Sequence, residues 1–381
     1  MSEPNVTAAP LVLHVLHHLR MGGMENGLIN LINHMAPNRY RHAIVCIEDY
    51  SDFRERIQRP GVEIYPLHRA RYGVWHVRRQ IYQLCRQLRP ALIHTRNQSG
   101  LDALLPARLA GIPCVHSEHG WDVDNLNGHR WKPLLLRRVH RPLVKTYITV
   151  SKHLEQFLVE GVGVPPGRIT QIYNGVDVAR FAPSAAAADN LLPADFSVAG
   201  RFVIGTVGRV EAVKDQATLL RAFAHVCGQQ PESRLVIAGD GPLLAALKNL
   251  AASLGIAEKT VFLGASERVP EILQRLDVFV LPSLNEGISN TILESLATAL
   301  PVVATAVGGN GELVEDRVNG RLFASGEDRV LADILLEYAQ YSALRVQHGA
   351  AARAIAVARF SLAAMTNGYA AVYDQVLQLR R

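Results

Sequence analysis

Residues 276–323 repeat one unit twice, a short apolar run followed by a glycine-containing loop and a helical pattern. The first apolar run, residues 277–282, does not alternate with polar residues, which predicts a strand buried on both faces. A second run of this kind covers residues 301–305. Buried strands that alternate with helices are typical of a parallel sheet covered on both sides. This stretch therefore predicts an α/β fold.

The two loops of this stretch carry groups that suit phosphates and hydroxyls. Ser289 or Asn290 can cap the first helix, and the free N–H groups at such a helix start attract an anion. The glycines of residues 308–311 predict a second helix start of the same kind. Glu286 in the first loop and Glu294 on its helix bring carboxylates to the edge where open α/β sheets bind ligands. Together these groups predict a sugar nucleotide as ligand.

Length and composition fit a two-domain globular protein. The chain has 381 residues, which exceeds the roughly 250–300 residues that one core supports. Its four cysteines are widely spaced and form no C-x-x-C pair, which argues against a zinc site or a disulfide framework and fits a reducing cytosol. The apolar run of residues 11–19 is shorter than the roughly 20 residues of a membrane span, so no transmembrane helix is predicted.

Basic residues are concentrated in the first half. Residues 1–180 contain 23 Lys and Arg but 14 Asp and Glu, whereas the remaining residues contain 17 and 20. This asymmetry predicts that only the first half meets a large anionic partner or surface.

The first half repeats the alternation of apolar runs and helical patterns from residue 11 to residue 151, which predicts a doubly wound α/β domain. After its first strand, the loop containing Gly22, Gly23 and Glu25 opens a helix, and the glycines allow a ligand to approach the backbone. This loop lacks the dinucleotide fingerprint G-x-G-x-x-G, which argues against NAD. A plain turn between strand and helix is the alternative.

Histidines are unusually frequent at the predicted strand ends of this half. Thirteen of the fifteen lie in residues 1–180. Those at or near strand ends are His17, His18, His94, His116 and His119. Because ligands bind at this edge, His94, Arg96 and Asn97 are predicted to contact a ligand. Hydrogen-bonded structural roles are the alternative, and the histidines lack metal-ligand spacings such as H-E-x-x-H.

The second half begins with a group suited to a diphosphate. A predicted strand, residues 202–207, ends at Gly208, and Arg209 and Lys214 follow. The forked donors of a guanidinium and the point charge of an ammonium form a natural clamp for a pyrophosphate. Ordinary surface charge is the alternative.

These patterns match a known family. The spacing E-x7-E from Glu286 to Glu294 resembles the signature of the retaining GT-B glycosyltransferases of glycosyltransferase family 4, and other stretches agree over nearly the whole chain. The first half is further similar to sugar transferases associated with PEP-CTERM/exosortase exopolysaccharide systems. The resemblance implies a GT-B fold, two Rossmann-like domains with doubly wound parallel sheets that face a cleft. The expected segments are an acceptor-side domain of residues 1–180, a linker of 181–198, a donor domain of 199–360 and a C-terminal helix of 361–381 that crosses back.

The resemblance also implies roles for individual residues. It assigns catalysis to His119, Glu286, Arg209 and Lys214. It implies donor binding by Gly22, Gly23, Gly208, Arg209, Lys214, Glu286, Gly287, Ile288, Ser289, Asn290 and Glu294. Acceptor-side contacts are expected from Glu25, His94, Arg96 and Asn97. The implied reaction moves a sugar from a UDP-sugar or GDP-sugar to a glycan or lipid-linked acceptor, with no cofactor and no metal.

One motif could suggest a metal. Asp122 and Asp124 form a D-x-D, but they lie in the first domain, away from the cations expected to hold the diphosphate. We interpret them as a loop, so metal-independent catalysis is expected.

The basic residues of the first half suggest a partner surface. Residues 130–141 have the pattern of a basic amphipathic helix, and Arg137, Arg138 and Arg141 are predicted to dock on an anionic membrane surface. A solvated face is the alternative, and no motif for nucleic acid accompanies the charge. The protein is expected in the cytoplasm, peripheral to the inner face of the cytoplasmic membrane.

Two other functions remain open. A GT-B nucleotide-sugar 2-epimerase would need no basic acceptor-side domain, and the loop with Gly22, Gly23 and Glu25 argues against it. A non-catalytic sugar-nucleotide binding protein is disfavoured because Arg209, Lys214 and both glutamates occur together. Asn285 and Ile288 depart from common family residues, which affects the fit of the sugar more than the class of reaction.

Overall fold

A computed structural model describes residues 9–120, 131–184, 191–198 and 200–378. The chain divides into two compact units. The first comprises Met1–Gly175 and Leu362–Arg381, and the second comprises Val176–Ser361.

The first unit is built on a sheet of seven parallel strands. The strands are β1 (Leu11–Leu16), β2 (Arg41–Cys46), β3 (Glu63–Pro66), β4 (Leu92–Arg96), β5 (Cys114–Glu118), β6 (Thr146–Thr149) and β7 (Ile169–Gln171). Their order in the sheet is β3-β2-β1-β4-β5-β6-β7. Every residue of β1, β4 and β5 is buried, as the lack of alternation in these runs predicts for central parallel strands.

Helices cover both faces of this sheet. They are α1 (Gly23–His34), α2 (Arg69–Leu88), α3 (Leu104–Leu109), α4 (Trp131–His140) and α5 (Lys152–Gln156), which continues as a π-helical turn over Phe157–Val162. Apolar side chains of α2, α3 and α4 pack on one face. The helix α1 packs on the opposite face with the C-terminal helix.

The second unit repeats the architecture with six parallel strands. They are β8 (Val203–Val207), β9 (Arg234–Ala238), β10 (Thr260–Gly264), β11 (Val278–Leu281), β12 (Val302–Thr305) and β13 (Gly320–Phe323). Their order is β10-β9-β8-β11-β12-β13. The helices are α6 (Gln216–Gln229), α7 (Leu244–Ser253), α8 (Val269–Leu273), α9 (Asn290–Ala297), α10 (Asn310–Leu313), α11 (Asp328–Gln340) and α12 (Ser342–Arg359).

The last helix, α13 (Leu362–Gln378), returns to the first unit. Tyr369, Tyr373 and Val376 on α13 lie in the same apolar cluster as Val12 of β1. The predicted fold class, two doubly wound parallel sheets with a crossover helix, is therefore confirmed.

The division between the units differs from the boundary predicted at residues 181–198. The second unit already begins at Val176, because the residues that follow pack within it. The carbonyl oxygen of Phe181 accepts a hydrogen bond from Arg353, and that of Ala182 accepts one from Gln274. Phe181 is itself buried.

None of the described helices combines the length and the apolar character that crossing a bilayer requires.

Candidate functional site

The candidate donor-binding residues follow two adjacent strands of the second unit. Lys214 lies in the loop after β8, and Glu286 lies in the loop after β11. Because β8 and β11 pair in parallel, both loops leave the sheet at the same edge. A backbone hydrogen bond of 2.8 Å from Leu284 N–H to the Val213 carbonyl joins them. The fold thus brings together two residues that the sequence separates widely.

Lys214 and Glu286 form an ion pair at this edge. The Lys214 Nζ lies 2.5 Å from Glu286 Oε1, and the two side chains are 18% and 10% exposed. Ser283 Oγ donates to the same carboxylate oxygen at 2.7 Å. A ligand that engages Lys214 therefore also meets Glu286. Ser283 was not predicted as part of the site, although its position at the end of a buried strand was a usable signal.

Arg209 is placed differently from Lys214. Its side chain is 69% exposed and pairs with Glu211 at 2.8 Å. An exposed pair of this kind contributes only about 0–1 kcal/mol, so the guanidinium is free to exchange its partner. The loop is anchored behind it, because Gln216 Nε2 donates to the Arg209 carbonyl at 2.9 Å.

The helix α9 starts as the sequence predicts. Ser289 is its N-cap, and its Oγ accepts a hydrogen bond from Ile292 N–H. Ser289 and Ile288 are buried, whereas Gly287 and Asn290 are partly exposed. Glu294 lies one helical turn after Asn290 and is also partly exposed, so these two side chains share a face of the helix.

The glycines predicted to open a second anion site instead support the Glu286 loop. A Cβ added at Gly308 would overlap the carbonyl oxygen of Glu286, and one at Gly309 would overlap that of Gly287. The Gly309 N–H points to the Glu286 carbonyl at 3.4 Å. The helix α10 that follows has only four residues. The prediction of a second anion-binding helix start is therefore wrong, because close backbone packing uses this segment.

The loop of Arg209 rests on glycines in the same way. A Cβ at Gly239 would overlap the carbonyl oxygen of Gly208, and one at Gly241 would overlap that of Val210. Gly208 has a φ of +155°, which L side chains rarely adopt. The glycines at the ends of β8 and β9 thus let the two loops lie against each other.

In the first unit, the loop after β1 holds Glu25 near the backbone. A Cβ at Gly22 would overlap the Glu25 carboxylate, so glycine leaves room for that side chain. Burial raises the pKa of Glu25, although its own backbone hydrogen bond and the charges of Arg20 and Arg96 oppose the shift.

His94 and Arg96 are buried completely at the end of β4. They are 0% and 1% exposed. Arg96 donates to His14 Nδ1 at 3.1 Å and to His94 Nδ1 at 3.3 Å. The prediction that these two side chains contact an acceptor directly is therefore wrong, because both point into the packed layer between β4, α1 and α13.

Asn97 directly follows β4, His119 directly follows β5, and a hydrogen bond joins the two residues. Asn97 has a φ of +51°, and its Oδ1 accepts a hydrogen bond of 2.8 Å from the His119 backbone N–H. His119 Nε2 lies 2.8 Å from Ser117 Oγ, while its buried Nδ1 has no hydrogen-bond partner among the described residues. Burial lowers the pKa of His119 to about 3, so its ring is neutral. Asn97 thus fixes the backbone of the candidate sugar-binding histidine.

Arg137 belongs to the interior rather than to a membrane-facing surface. Its side chain is 6% exposed and forms a two-pronged contact with the buried Glu118, at 2.6 Å and 3.1 Å. Burial alone would raise the pKa of Glu118, but the charge of Arg137 and the bonds from His116 and Arg137 bring it well below its ordinary value. Arg138 and Arg141 bond the carbonyls of Gly161 and Gly163. The predicted membrane role of Arg137 is therefore wrong.

Within residues 9–120, 131–184, 191–198 and 200–378, no three His, Cys, Asp or Glu side chains are grouped to hold a metal ion. The D-x-D of Asp122 and Asp124 lies outside the described residues.

Two family models match the chain. The one described as "Glycosyltransferase Family 4" matches residues 21–180. The one described as "Glycosyl transferases group 1" matches residues 193–354.

Individual proteins are similar over much of the chain. "Putative glycosyltransferase EpsF" of Bacillus subtilis is 31% identical over 307 residues, 77% of this chain and 78% of that protein. The UDP-Gal:alpha-D-GlcNAc-diphosphoundecaprenol alpha-1,3-galactosyltransferase of Escherichia coli is 30% identical over 253 residues, 64% of either chain.

A solved structure shows the same architecture. Anabaena HepE in complex with UDP superposes with a TM-score of 0.81 at 23% identity, covering 96% of this chain and 100% of that one. At this identity the likeness establishes the fold.

Proposed function

Since the chain belongs to the GT-B glycosyltransferases of glycosyltransferase family 4, we propose that it transfers a sugar from a nucleoside-diphosphate-sugar to a lipid-linked saccharide with retention and without a metal. We propose that this transfer is a step in exopolysaccharide biosynthesis of the kind associated with PEP-CTERM/exosortase systems. The similarity to EpsF and the galactosyltransferase that acts on a diphosphoundecaprenol lipid supports this substrate class.

The observation that carries the proposal is the ion pair of Lys214 and Glu286 beside the capped start of α9. A diphosphate needs a cation and N–H donors, and a sugar needs a carboxylate that accepts from its hydroxyls. This edge of the sheet supplies all three. Arg209 joins Lys214 on the diphosphate by leaving its partner Glu211. Glu286 binds hydroxyls of the transferred sugar, and Glu294 binds those of the ribose.

The cations act on the leaving group. As the bond between the anomeric carbon and the diphosphate oxygen breaks, negative charge grows on that oxygen, and Lys214 and Arg209 stabilise it. The acceptor oxygen forms the new bond on the same face of the sugar. Its proton passes to an oxygen of the leaving diphosphate, so no protein base is required.

The first unit contributes to the acceptor and sugar side. His119 contacts the transferred sugar, while Gly22, Gly23 and Glu25 contribute from the loop after β1. His94, Arg96 and Asn97 act indirectly, through the position of His119. For His94 and Arg96, this role replaces the direct acceptor contacts expected from the sequence.

Calorimetric titration with UDP, GDP, ADP and their sugars, each with and without EDTA, tests the donor site. We expect one nucleotide series to bind equally well in EDTA and to lose most of its affinity in Lys214→Ala. The control is Lys248→Ala, which removes a cation on α7 of the same unit. Absence of binding by every nucleotide, or binding abolished by EDTA, would contradict the proposal.

The stereochemical course needs a separate measurement. Proton NMR of the product formed from an α-linked donor is expected to show an α linkage at the transferred sugar. A β linkage would rule out retention. Release of a free epimerised sugar instead of a transferred one would favour the epimerase.

We further propose that α2, α3 and α4 dock the first unit on an anionic membrane. Their sequences contain no Asp or Glu, and large apolar side chains are exposed among their cations. These are Tyr72, Trp75, Tyr82, Leu105, Leu109, Trp131, Leu135, Leu136 and Val139. Trp75, Arg79, Tyr82 and Arg86 follow a helical spacing that places them in one stripe of α2. An apolar surface mixed with cations suits a lipid interface, where each near-surface base contributes about 1 kcal/mol.

Sedimentation with vesicles of phosphatidylcholine and phosphatidylglycerol tests this surface. Reversing Arg79 and Arg86 to Glu is expected to reduce binding strongly at low salt. Reversal of Arg221, an exposed cation on α6 of the second unit, provides the control. Equal binding of both variants would show that α2 does not face the membrane.

A further inference from the structure

A series of six hydrogen-bonded side chains lies beneath the sheet edge of the first unit and ends at His119. Its members lie on β1, β2, β4 and β5, on the face covered by α1 and α13, except His119, which directly follows β5. In order, they are His42, His14, Arg96, His94, Ser117 and His119. All except His119 are buried. The proposed transfer assigns the sugar contact to His119 and its positioning to His94, Arg96 and Asn97, but it assigns no proton position to His119.

Arg96 determines which atoms of this series donate hydrogen bonds and which accept them. A guanidinium can donate hydrogen bonds but cannot accept them. The nitrogens that face it, Nδ1 of His14 and Nδ1 of His94, must therefore be acceptors. The Tyr373 hydroxyl lies 2.7 Å from the same His94 nitrogen, and because that nitrogen carries no proton, the hydroxyl is the donor of this contact. Burial holds the pKa of both histidines well below the ordinary value, so each ring is neutral and carries its single proton on Nε2.

The proton position of His94 in turn determines the donor and acceptor roles of Ser117 and His119. His94 Nε2–H lies 3.0 Å from Ser117 Oγ and donates to it. The one hydroxyl proton of Ser117 is then directed to His119 Nε2, at 2.8 Å. His119 Nε2 is therefore an acceptor, and in a neutral ring the proton sits on Nδ1. Away from Arg96 on the other side, His14 Nε2 donates to His42 Nδ1 at 3.0 Å.

The Nδ1 of His119 ends the series without a partner. It is a buried atom that makes no hydrogen bond within the described residues. Leaving a buried donor unpaired is costly, so such a group in a native structure calls for an explanation. The backbone beside it is fixed, because Asn97 holds the His119 N–H. The ring is thus held at Nε2 and at the main chain, with one donor left over.

We propose that Arg96 is a positioning residue that acts through His94 and Ser117 to fix His119 as an Nδ1–H donor to an oxygen of the sugar substrate. The identity of that ligand rests on the proposed function, whereas the proton position does not. In this arrangement, His119 binds an oxygen and does not remove a proton from it.

Nitrogen NMR of the full-length protein labelled with ¹⁵N-histidine tests the proton position. Two-bond ¹⁵N–¹H correlations distinguish Nδ1–H from Nε2–H rings, and a His119→Gln variant assigns the signals of His119. We expect the Nδ1–H form at His119 and the Nε2–H form at His14 and His94. An Nε2–H ring at His119 in the wild-type protein would overturn the proposal.

Ser117→Ala removes the last link with the loss of a single oxygen. We expect His119 to shift toward the Nε2–H form. The matched control is Thr149→Val on the adjacent strand β6, because the Thr149 hydroxyl is buried without a partner among the described residues. This control is expected to leave the His119 spectrum unchanged. An Nδ1–H ring that persists in Ser117→Ala would overturn the proposal that Arg96 acts on His119 through Ser117.

Activity provides a second, independent readout. Loss of one neutral hydrogen bond is expected to lower kcat/KM of Ser117→Ala roughly 3- to 10-fold, while the affinity for the nucleoside diphosphate is unchanged. Arg96→Lys keeps the charge but supplies no fork, and it is expected to disturb the His119 signal in the same direction. A wild-type protein that shows the expected tautomers but binds no nucleotide sugar would support the role of Arg96 in fixing the His119 proton. It would overturn the assignment of a sugar as the ligand of His119.

Discussion

The carboxylate of Glu286 neutralises Lys214 before any ligand arrives. The 2.5 Å contact pairs the ammonium with a carboxylate, and Ser283 donates a hydrogen bond to the same carboxylate oxygen. A diphosphate must compete with Glu286 for Lys214, whereas a sugar hydroxyl must compete with Lys214 for Glu286. The pair therefore couples the two halves of the donor, and single substitutions should separate them.

Glu286→Gln is expected to separate binding from transfer. Without the carboxylate, Lys214 is available to the diphosphate, so the nucleoside diphosphate should bind as tightly as in the wild type or more tightly. Transfer should fall by about 100-fold, in the range seen when an electrostatic contact in the transition state is lost. Calorimetry and initial rates measure the two effects.

Lys214→Ala is the counterpart, and it should weaken the nucleoside diphosphate by about tenfold or more, the value of a charge-assisted hydrogen bond of roughly 1.5–3 kcal/mol. If Glu286→Gln weakened the diphosphate as much as Lys214→Ala does, the two residues would not have the separate ligands assigned to them.

At the scale of elements, the loops that carry the site depend on glycines in neighbouring loops. Gly308 and Gly326 both have positive φ, +51° and +82°, but only Gly308 lies against another backbone. Gly326→Ala should cost about 1 kcal/mol from its φ alone. Gly308→Ala should cost about 3 kcal/mol more, because its Cβ displaces the Glu286 loop, and it should also weaken nucleotide binding.

Urea unfolding followed by circular dichroism measures both alanine variants. Equal losses of stability would show that the close approach to the Glu286 carbonyl is not limiting.

Two neighbouring arginines of α4 have opposite surroundings. Arg137 is buried against Glu118, whereas Arg138 is exposed and donates to the carbonyl oxygen of Gly161. Arg137→Ala should lower the free energy of unfolding by about 3–5 kcal/mol, because it leaves a buried carboxylate without its partner. Arg138→Ala should cost about 1 kcal/mol or less.

Urea titration followed by tryptophan fluorescence compares these two variants. A small loss for Arg137→Ala would mean that Glu118 finds another partner or takes up a proton.

These two arginines also show what the sequence could predict. The apolar runs of β1, β11 and β12 predict buried parallel strands because that pattern depends on local residues alone. Ser289 is predictable as the cap of α9 for the same reason. A helical pattern treats every arginine as a surface residue, however, and Arg137 points inward because an acidic strand end, Glu118, lies beneath it. Such pairings depend on the register between elements, which a single sequence does not display.

At the scale of the whole molecule, the buried titratable groups are distributed unequally. The first unit contains the three buried histidines of the hydrogen-bonded series, His14, His42 and His94, and the histidine at its end, His119. It also contains the ion pair of Glu118 with Arg137. The three tryptophans, at positions 75, 121 and 131, also fall within residues 1–175. Tryptophan fluorescence therefore reports on the first unit alone.

The first unit is expected to lose stability in mild acid. Burial lowers the pKa of His42 and of His119 to about 3 and holds the pKa of His14 and His94 well below 6.5. Well above pH 6.5 both folded and unfolded histidines are neutral, so they contribute no pH dependence there. Below it the unfolded chain takes up protons that the folded chain refuses, which favours unfolding by about 1.4 kcal/mol per histidine per pH unit.

Between pH 7.5 and 5.5, the free energy of unfolding reported by tryptophan fluorescence in urea should therefore fall by an amount on the order of 5 kcal/mol. Glu118 adds to the loss only at lower pH, below the ordinary pKa of a glutamate, because its folded pKa is depressed. His42→Gln keeps an acceptor for His14 and removes one titrating group, so it should reduce this pH dependence by about a quarter. His225→Gln, at an exposed position on α6, should leave it unchanged. A fluorescence midpoint that is the same at pH 7.5 and 5.5 would mean that these histidines are charged in the folded protein, and the donor direction assigned from Arg96 to His119 would then fail with it.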